Sequence, residues 1–200
     1  MNNYVLATAN IGKIAEMREI LSSLNINIVT REDLGITIDV EETGATFLEN
    51  ATLKAKAICN ASGLPAIADD SGLVVVSLNG EPGLHSSSYG GFELTSKERN
   101  TFLLLKMKNM EQRAAKFVCT IVCVFPSGKS LYATGECHGT ILTQPQGKGG
   151  FGYDPVFLPD GKSKSMAQLT AEEKNAISHR GDALRKFIKV LKANSTEMQL

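Results

Sequence analysis

Two adjacent carboxylates interrupt an apolar run at Ala66-Ile67-Ala68-Asp69-Asp70-Ser71-Gly72-Leu73, and the run resumes as Val74-Val75-Val76. A carboxylate beside apolar strands loses its hydration, which is tolerable only where a cation or hydrogen-bond donors replace the water. A hard divalent ion would do this. The same residues also read as a turn, since Asp-Asp-Ser-Gly is turn chemistry and Gly72 can supply positive φ. A second acidic pair, Glu41-Glu42, ends an extended segment over Ile36 to Val40. It reads either as a solvated acidic turn or as a second metal corner.

Groups suited to anions lie elsewhere. Thr8-Ala9-Asn10-Ile11-Gly12-Lys13 joins a strand to a helix, where free N–H groups, the positive dipole end and Lys13 together suit a phosphate. Asn10 as the cap of an ordinary helix is the alternative. A P-loop is excluded, because Ala7 stands where its leading glycine would fall and Ile14 where its Ser or Thr would fall. Asn50 and Lys54, one helical turn apart, share a face that is either solvated or aimed at a phosphate or sugar. His179-Arg180 offers planar donors to carbonyl or phosphate oxygens, or else is an exposed basic pair near a helix start. Gly147 to Gly152 satisfies G-x-G-x-x-G, yet it follows Gln144-Pro145-Gln146 and runs into Tyr153-Asp154-Pro155, so no helix opens there. Its glycines instead permit close approach to a flat ligand, on which Phe151 or Tyr153 could stack.

The elements that must hold these groups follow from periodicity and caps. Tyr4 to Ala7 and Ile26 to Val29 read as strands flanking a helix with the stripe Ile14, Met17, Leu21 and Leu24. Thr46 and Glu49 form a capping-box pattern for a helix to Ser62, with Gly63 placed to end it. Gly72 to Leu78 reads as a strand before the Asn79-Gly80 turn. Thr95 with Glu98 and Thr170 with Glu173 open two further helices, and a last helix follows Ser178-His179-Arg180-Gly181. Phe117 to Phe125, apolar at every second position on both faces, reads as a central strand. Ser130 to Glu136 and Gly139 to Leu142 continue the sheet, and Asn194 to Leu200 reads as a frayed tail.

The 200 residues suit a single domain over 1–200 with its own core. Lys plus Arg and Asp plus Glu are 21 each, which leaves no basic footprint for nucleic acid. No segment has signal-peptide character and no apolar run reaches the ~20 residues that span a bilayer, so a cytoplasmic protein without membrane partners is expected. Cys59, Cys119, Cys123 and Cys137 have no Cys-x2-Cys spacing and read as buried apolar residues.

In this order the motifs resemble the inosine triphosphate pyrophosphatase family. The residues that carry the likeness are 6–13, 41–51, 68–73, 78–83, 150–157 and 173–181. The resemblance implies an α/β, two-lobed mixed-sheet fold with an active-site cleft between lobes, a homodimer, and Mg2+-dependent cleavage of ITP, dITP and XTP to monophosphate and pyrophosphate. It implies that Thr8, Ala9, Asn10, Ile11, Gly12 and Lys13 hold phosphates, that Glu41 and Asp70 bind magnesium with Asp69 a further candidate, and that Asp70 is the general base. Lys54 would contact phosphate and Ser71 the nucleotide; Phe151, Gly152, Tyr153 and Asp154 would meet the base region, and Lys174, His179 and Arg180 the base and sugar. Three positions depart from the family pattern: Val76 in place of Asp, Ser88 in place of Arg, and Gln168 in place of Glu. The first two read as the loss of a mutual pair or as a change at the cleft or dimer edge. A pyrophosphatase for modified pyrimidine nucleotides and a non-catalytic nucleotide sensor stand as alternatives.

Overall fold

The computed structural model describes residues 2–194. Beyond Asn194, the expected frayed tail lies outside the described residues. Six strands form one sheet in the order β2-β1-β3-β4-β5-β6: β1 (Asn2–Leu6), β2 (Ile26–Thr30), β3 (Ala66–Val75), β4 (Ala114–Val124), β5 (Ser130–Ile141) and β6 (Phe157–Pro159). The sheet is mixed, with β1 parallel to both β2 and β3 and β5 antiparallel to β6. The helices are α1 (Ile11–Leu21), α2 (Phe47–Ser62), α3 (Ser96–Lys106), α4 (Ala171–Ile177) and α5 (His179–Ala193). Among the described residues no helix is long and apolar enough to cross a membrane.

The chain folds into two compact units of interleaved segments. The first comprises residues up to Asp70, Cys119–Gly135 and the chain from Arg180; the second comprises Ser71–Val118 and Glu136–His179. In the first unit strand alternation assigns each face its helices. Tyr4, Leu6, Ile67, Cys119 and Ile121 pack with Met17 and Leu21 of α1 and with Ala183, Leu184 and Phe187 of α5. The intervening residues Val5, Ala7, Ala66, Ala68, Val122 and Val124 pack with Ala51, Ala55 and Ile58 of α2. The core of the second unit is built from Leu73, Val75, Phe117, Cys137, Ile141, Tyr153 and Phe157 with Leu103 and Met107.

Local chemistry sets the element ends. Thr46 caps α2 by accepting the Glu49 N–H, and Gly63 ends it at φ 67°. Glu49 departs from the capping-box expectation and accepts from Ala45 N at 2.6 Å instead. The boxes at Thr95 and Thr170 are complete. Two expected strands differ in extent. β5 is one continuous strand, and β3 ends at Val75 in a 3-10 turn over Val76–Leu78, closed by Asn79 at φ 53°. All four cysteines are buried thiols outside any disulfide.

The departing positions are locally accommodated. Val76 is 60% exposed, so the missing Asp leaves no buried partner behind. Ser88 donates its N–H to the His85 carbonyl in a turn. Gln168 caps the turn Met166–Gln168, its Oε1 accepting from Ser165 N at 2.9 Å as a glutamate would.

Candidate active site

In place of the expected acidic break or turn, β3 runs unbroken through Asp69, Asp70, Ser71 and Gly72. Side chains alternate along a strand, so the two carboxylates face opposite sides of the sheet. Asp69 follows Ile67 toward α1 and α5. Asp70 follows Ala68 toward α2.

On the α1 side, Asp69 Oδ2 accepts from Lys13 Nζ at 2.9 Å and from Arg180 Nη2 at 3.1 Å and Nε at 3.3 Å. Arg180 Nη1 donates onward to Glu16 Oε2. Burial opposes the Asp69 charge, but Lys13, Arg180 and Lys54 outweigh it and hold the group well below the usual carboxylate range. Arg180 is 1% exposed. An exposed basic pair is therefore not what His179-Arg180 forms, and the Arg180 guanidinium is engaged by two carboxylates within the first unit. Asn10 is the N-cap of α1, accepting the Lys13 N–H at 3.1 Å, and Thr8 Oγ1 accepts from Asn10 N. Ala9, Asn10 and Ile11 are exposed, while Gly12 and Lys13 are half-buried.

On the α2 side, Lys54 Nζ lies 3.0 Å from Glu42 Oε1 and 3.4 Å from Asp70 Oδ1. Asn50 Nδ2 donates to the other Asp70 oxygen at 3.2 Å. Burial raises the proton affinity of Asp70, with help from Glu42 and against Lys54, Asn50 and Lys13. Burial also works against the Lys54 charge, yet Asp70, Asp69 and Glu42 keep its pKa above the ordinary lysine value. The cluster recruits Glu42, whereas the exposed Glu41 makes no side-chain bond to it.

Within the second unit, Lys174 of α4 is buried against Asp154, with Nζ 2.6 Å from Oδ2 and 4.3 Å from the centre of the Phe151 ring. The same Asp154 oxygen accepts the Phe151 N–H at 2.8 Å. Gly150, at φ 67°, leaves no room for a Cβ, which would run into the Asp154 carboxylate. The loop opens no helix, so the G-x-G-x-x-G match is a coincidence of spacing. Tyr153 offers no stacking face: its ring is in the core and its hydroxyl donates to the Ser86 carbonyl at 2.9 Å. His179 is buried too, stacked on Phe117 at 4.7 Å and 14°, and it begins α5 instead of preceding it. Ser71, the next residue after Asp70, is half-buried.

The Ham1 family model matches residues 4–190. The chain belongs to the Ham1 family. It is 47% identical over 190 residues to the dITP/XTP pyrophosphatase of Thermus thermophilus, covering 94% of this chain and 91% of that protein. The dITP/XTP pyrophosphatase of Geobacter sulfurreducens is 47% identical over 186 residues, covering 92% and 94%. Among solved structures, a HAM1 protein from Coxiella burnetii superposes with TM-score 0.89 at 41% identity, and the Staphylococcus aureus Ham1 protein with TM-score 0.87 at 39%. Each spans 96% of this chain and 100% of its own.

For a Ham1-family chain the fit to a hard cation can be tested on the donors themselves. Glu42 and Asp70 already hold one positive charge, the Lys54 ammonium, between two anionic oxygens. Among the described residues no group of three or more His, Cys, Asp or Glu side chains forms a protein cage. Two carboxylates on one cation are the donor number that magnesium takes from a protein, its other positions going to phosphate and water. Sequence reasoning did not single out Glu16 or Phe117, and it weighed Glu42 only together with Glu41 as an acidic pair. Glu16 lies three residues after Lys13 on α1, a spacing that puts both on one face, but nothing in the sequence joins it to Arg180.

Proposed function

We propose that this Ham1-family chain hydrolyses the non-standard purine nucleoside triphosphates ITP, dITP and XTP to the monophosphate and pyrophosphate. The observation that carries the reading is the Asp70 carboxylate, buried and held by Asn50 Nδ2 at 3.2 Å and Lys54 Nζ at 3.4 Å. Cleaving an α–β phosphoanhydride requires a proton to leave the attacking water and charge to be neutralised on the departing pyrophosphate. Asp70 accepts that proton, its carboxylate oriented by Asn50 and Lys54. Lys54 and Lys13, with the α1 N-terminus over Thr8 to Lys13, take the phosphate charge. Magnesium, held by Asp70 with Glu41 or Glu42, would supply further positive charge at the phosphate oxygens.

Base selection falls to the second unit. Phe151, Gly152 and Asp154 meet the base, and Lys174 and His179 present donors to a 6-oxo group. Adenine would leave those donors facing its exocyclic amine, a mismatch that polar sites penalise strongly. The names of the relatives, dITP/XTP pyrophosphatases, support this substrate class. Ser71 contacts the nucleotide, the functional form is a homodimer, and the enzyme acts in the cytoplasm on the free nucleotide pool.

Product analysis with ITP, dITP, XTP, ATP, GTP and dUTP, with and without magnesium, tests the reading. Pyrophosphate release from ITP and XTP far above that from ATP is expected. Orthophosphate release would overturn the mechanism. Preference for dUTP would point to a pyrimidine enzyme, and tight ITP binding without turnover to a sensor.

A further inference from the structure

Both ends of the Asn50 carboxamide are in use. The residue is 2% exposed. Its Oδ1 accepts the Gly44 N–H at 2.8 Å, and its Nδ2 donates to Asp70 Oδ2 at 3.2 Å. Gly44 closes the segment that carries Glu41 and Glu42. One planar group on α2 therefore ties the backbone of the acidic segment to the orientation of a carboxylate on β3.

The tie is close-fitted from the glycine side. A Cβ at Gly44 would come within 2.6 Å of Glu49 Cβ, 2.7 Å of Asn50 Oδ1 and 2.9 Å of Asn50 N. Glycine is needed there by close approach, not by a left-handed backbone. At position 50 the requirement is equally specific, because an amide can accept from an N–H while donating to a carboxylate. Ionised aspartate has the same shape but only accepts, and leucine fills the volume but does neither.

We propose that Asn50 is a positioning residue for the hydrolytic reaction, fixing the Asp70 carboxylate and the 41–44 segment in one register. The proposal rests on the reading of Asp70 as the base. It assigns to Asn50 a role distinct from the phosphate or sugar contact that its place beside Lys54 suggests. Residues that orient groups around a reacting centre typically cost about 10- to 100-fold when replaced.

The test uses the full chain and three variants, Asn50→Asp, Asn50→Leu and Gly44→Ala. Hydrogen exchange of the Gly44 amide, followed by NMR without nucleotide, reads the first arm of the tie. Protection is expected in the wild type and in Asn50→Asp, and its loss in Asn50→Leu. Steady-state kinetics with ITP read the second arm: all three variants should lose about 10- to 100-fold in kcat, with KM changed less than about threefold. Gly44→Ala matters because Asn50 itself is intact there. If Asn50→Asp does not fold, Gly44→Ala and Asn50→Leu decide by the same thresholds. Folded variants that keep kcat within about threefold of wild type, or that lose activity through KM alone, overturn the role. An unprotected Gly44 amide in the wild type overturns the tie itself. Failure of the wild type to release pyrophosphate would instead remove the proposed function while leaving the exchange result intact.

Discussion

Asp70 has one oxygen on Asn50 and the other on Lys54, so its carboxylate is both oriented and kept beside a positive charge. Asp70→Asn preserves the shape and removes the proton acceptor. That variant is expected to fold with a melting temperature within a few degrees of wild type and to lose at least about 100-fold in turnover, the lower end of what general-base catalysis contributes. Circular dichroism with a pyrophosphate-release assay checks both halves; near-normal turnover would remove Asp70 from the chemistry. Arg180 calls for a different expectation. Its guanidinium is fully buried between Asp69 and Glu16, so Arg180→Leu leaves the buried Asp69 with Lys13 and removes the cation that links it to Glu16. Removal of one partner from a buried pair costs about 3–5 kcal/mol, and urea unfolding should register a loss of that order. A loss under about 1 kcal/mol, as for a surface pair, would mean that the network holds no structural role.

Helix termini carry the pH response at the level of elements. Glu98 is held below the ordinary glutamate pKa, first by the Thr95 side-chain hydrogen bond and then by the Thr95 backbone. For Glu173 the Thr170 backbone hydrogen bond comes first. A folded pKa below the unfolded one stabilises the fold above the unfolded value, and the benefit disappears as pH falls through the folded value. The double variant Glu98→Gln, Glu173→Gln has caps that do not titrate. Its melting temperature is therefore expected to stay below that of wild type by a constant margin from neutral pH to about 5, with the margin closing below about 4.5. Differential scanning calorimetry across that range would expose a constant margin at all pH values, and with it a cap that works without charge. The α2 terminus gives a simpler check. Gly63 at φ 67° admits a side chain only with strain, so Gly63→Ala should destabilise by about 1 kcal/mol in urea titration.

At the scale of the whole molecule, the groups that the proposed reading gives to phosphate and those it gives to the base belong to different units. Lys13, Lys54 and Asp70 belong to the first; Phe151, Asp154, Lys174 and His179 belong to the second. Lys54→Ala is expected to raise KM for ITP and lower kcat, to weaken IMP binding less, and to leave the ITP-to-ATP preference unchanged. Lys174→Ala should reduce that preference about tenfold or more, since a lost polar contact to the base is worth at least that in discrimination. Parallel kcat/KM measurements on ITP and ATP decide it, and equal loss on both nucleotides for Lys174→Ala would remove the residue from base selection. The sequence by itself determined the local features: the ends of α2 at Thr46 and Gly63, the capping boxes at Thr95 and Thr170, the buried β4, and the motif order that marks the family. These depend on neighbours within one turn or one strand, whose spacing is fixed by backbone geometry. Only the tertiary structure decided that Asp69 and Asp70 face opposite ways on a continuous strand, that Glu42 and not Glu41 meets Lys54, and that Arg180 is enclosed between Asp69 and Glu16. Each of those outcomes depends on which helix packs against which face of a strand, a matter of burial among residues up to 164 positions apart, and no local spacing encodes it.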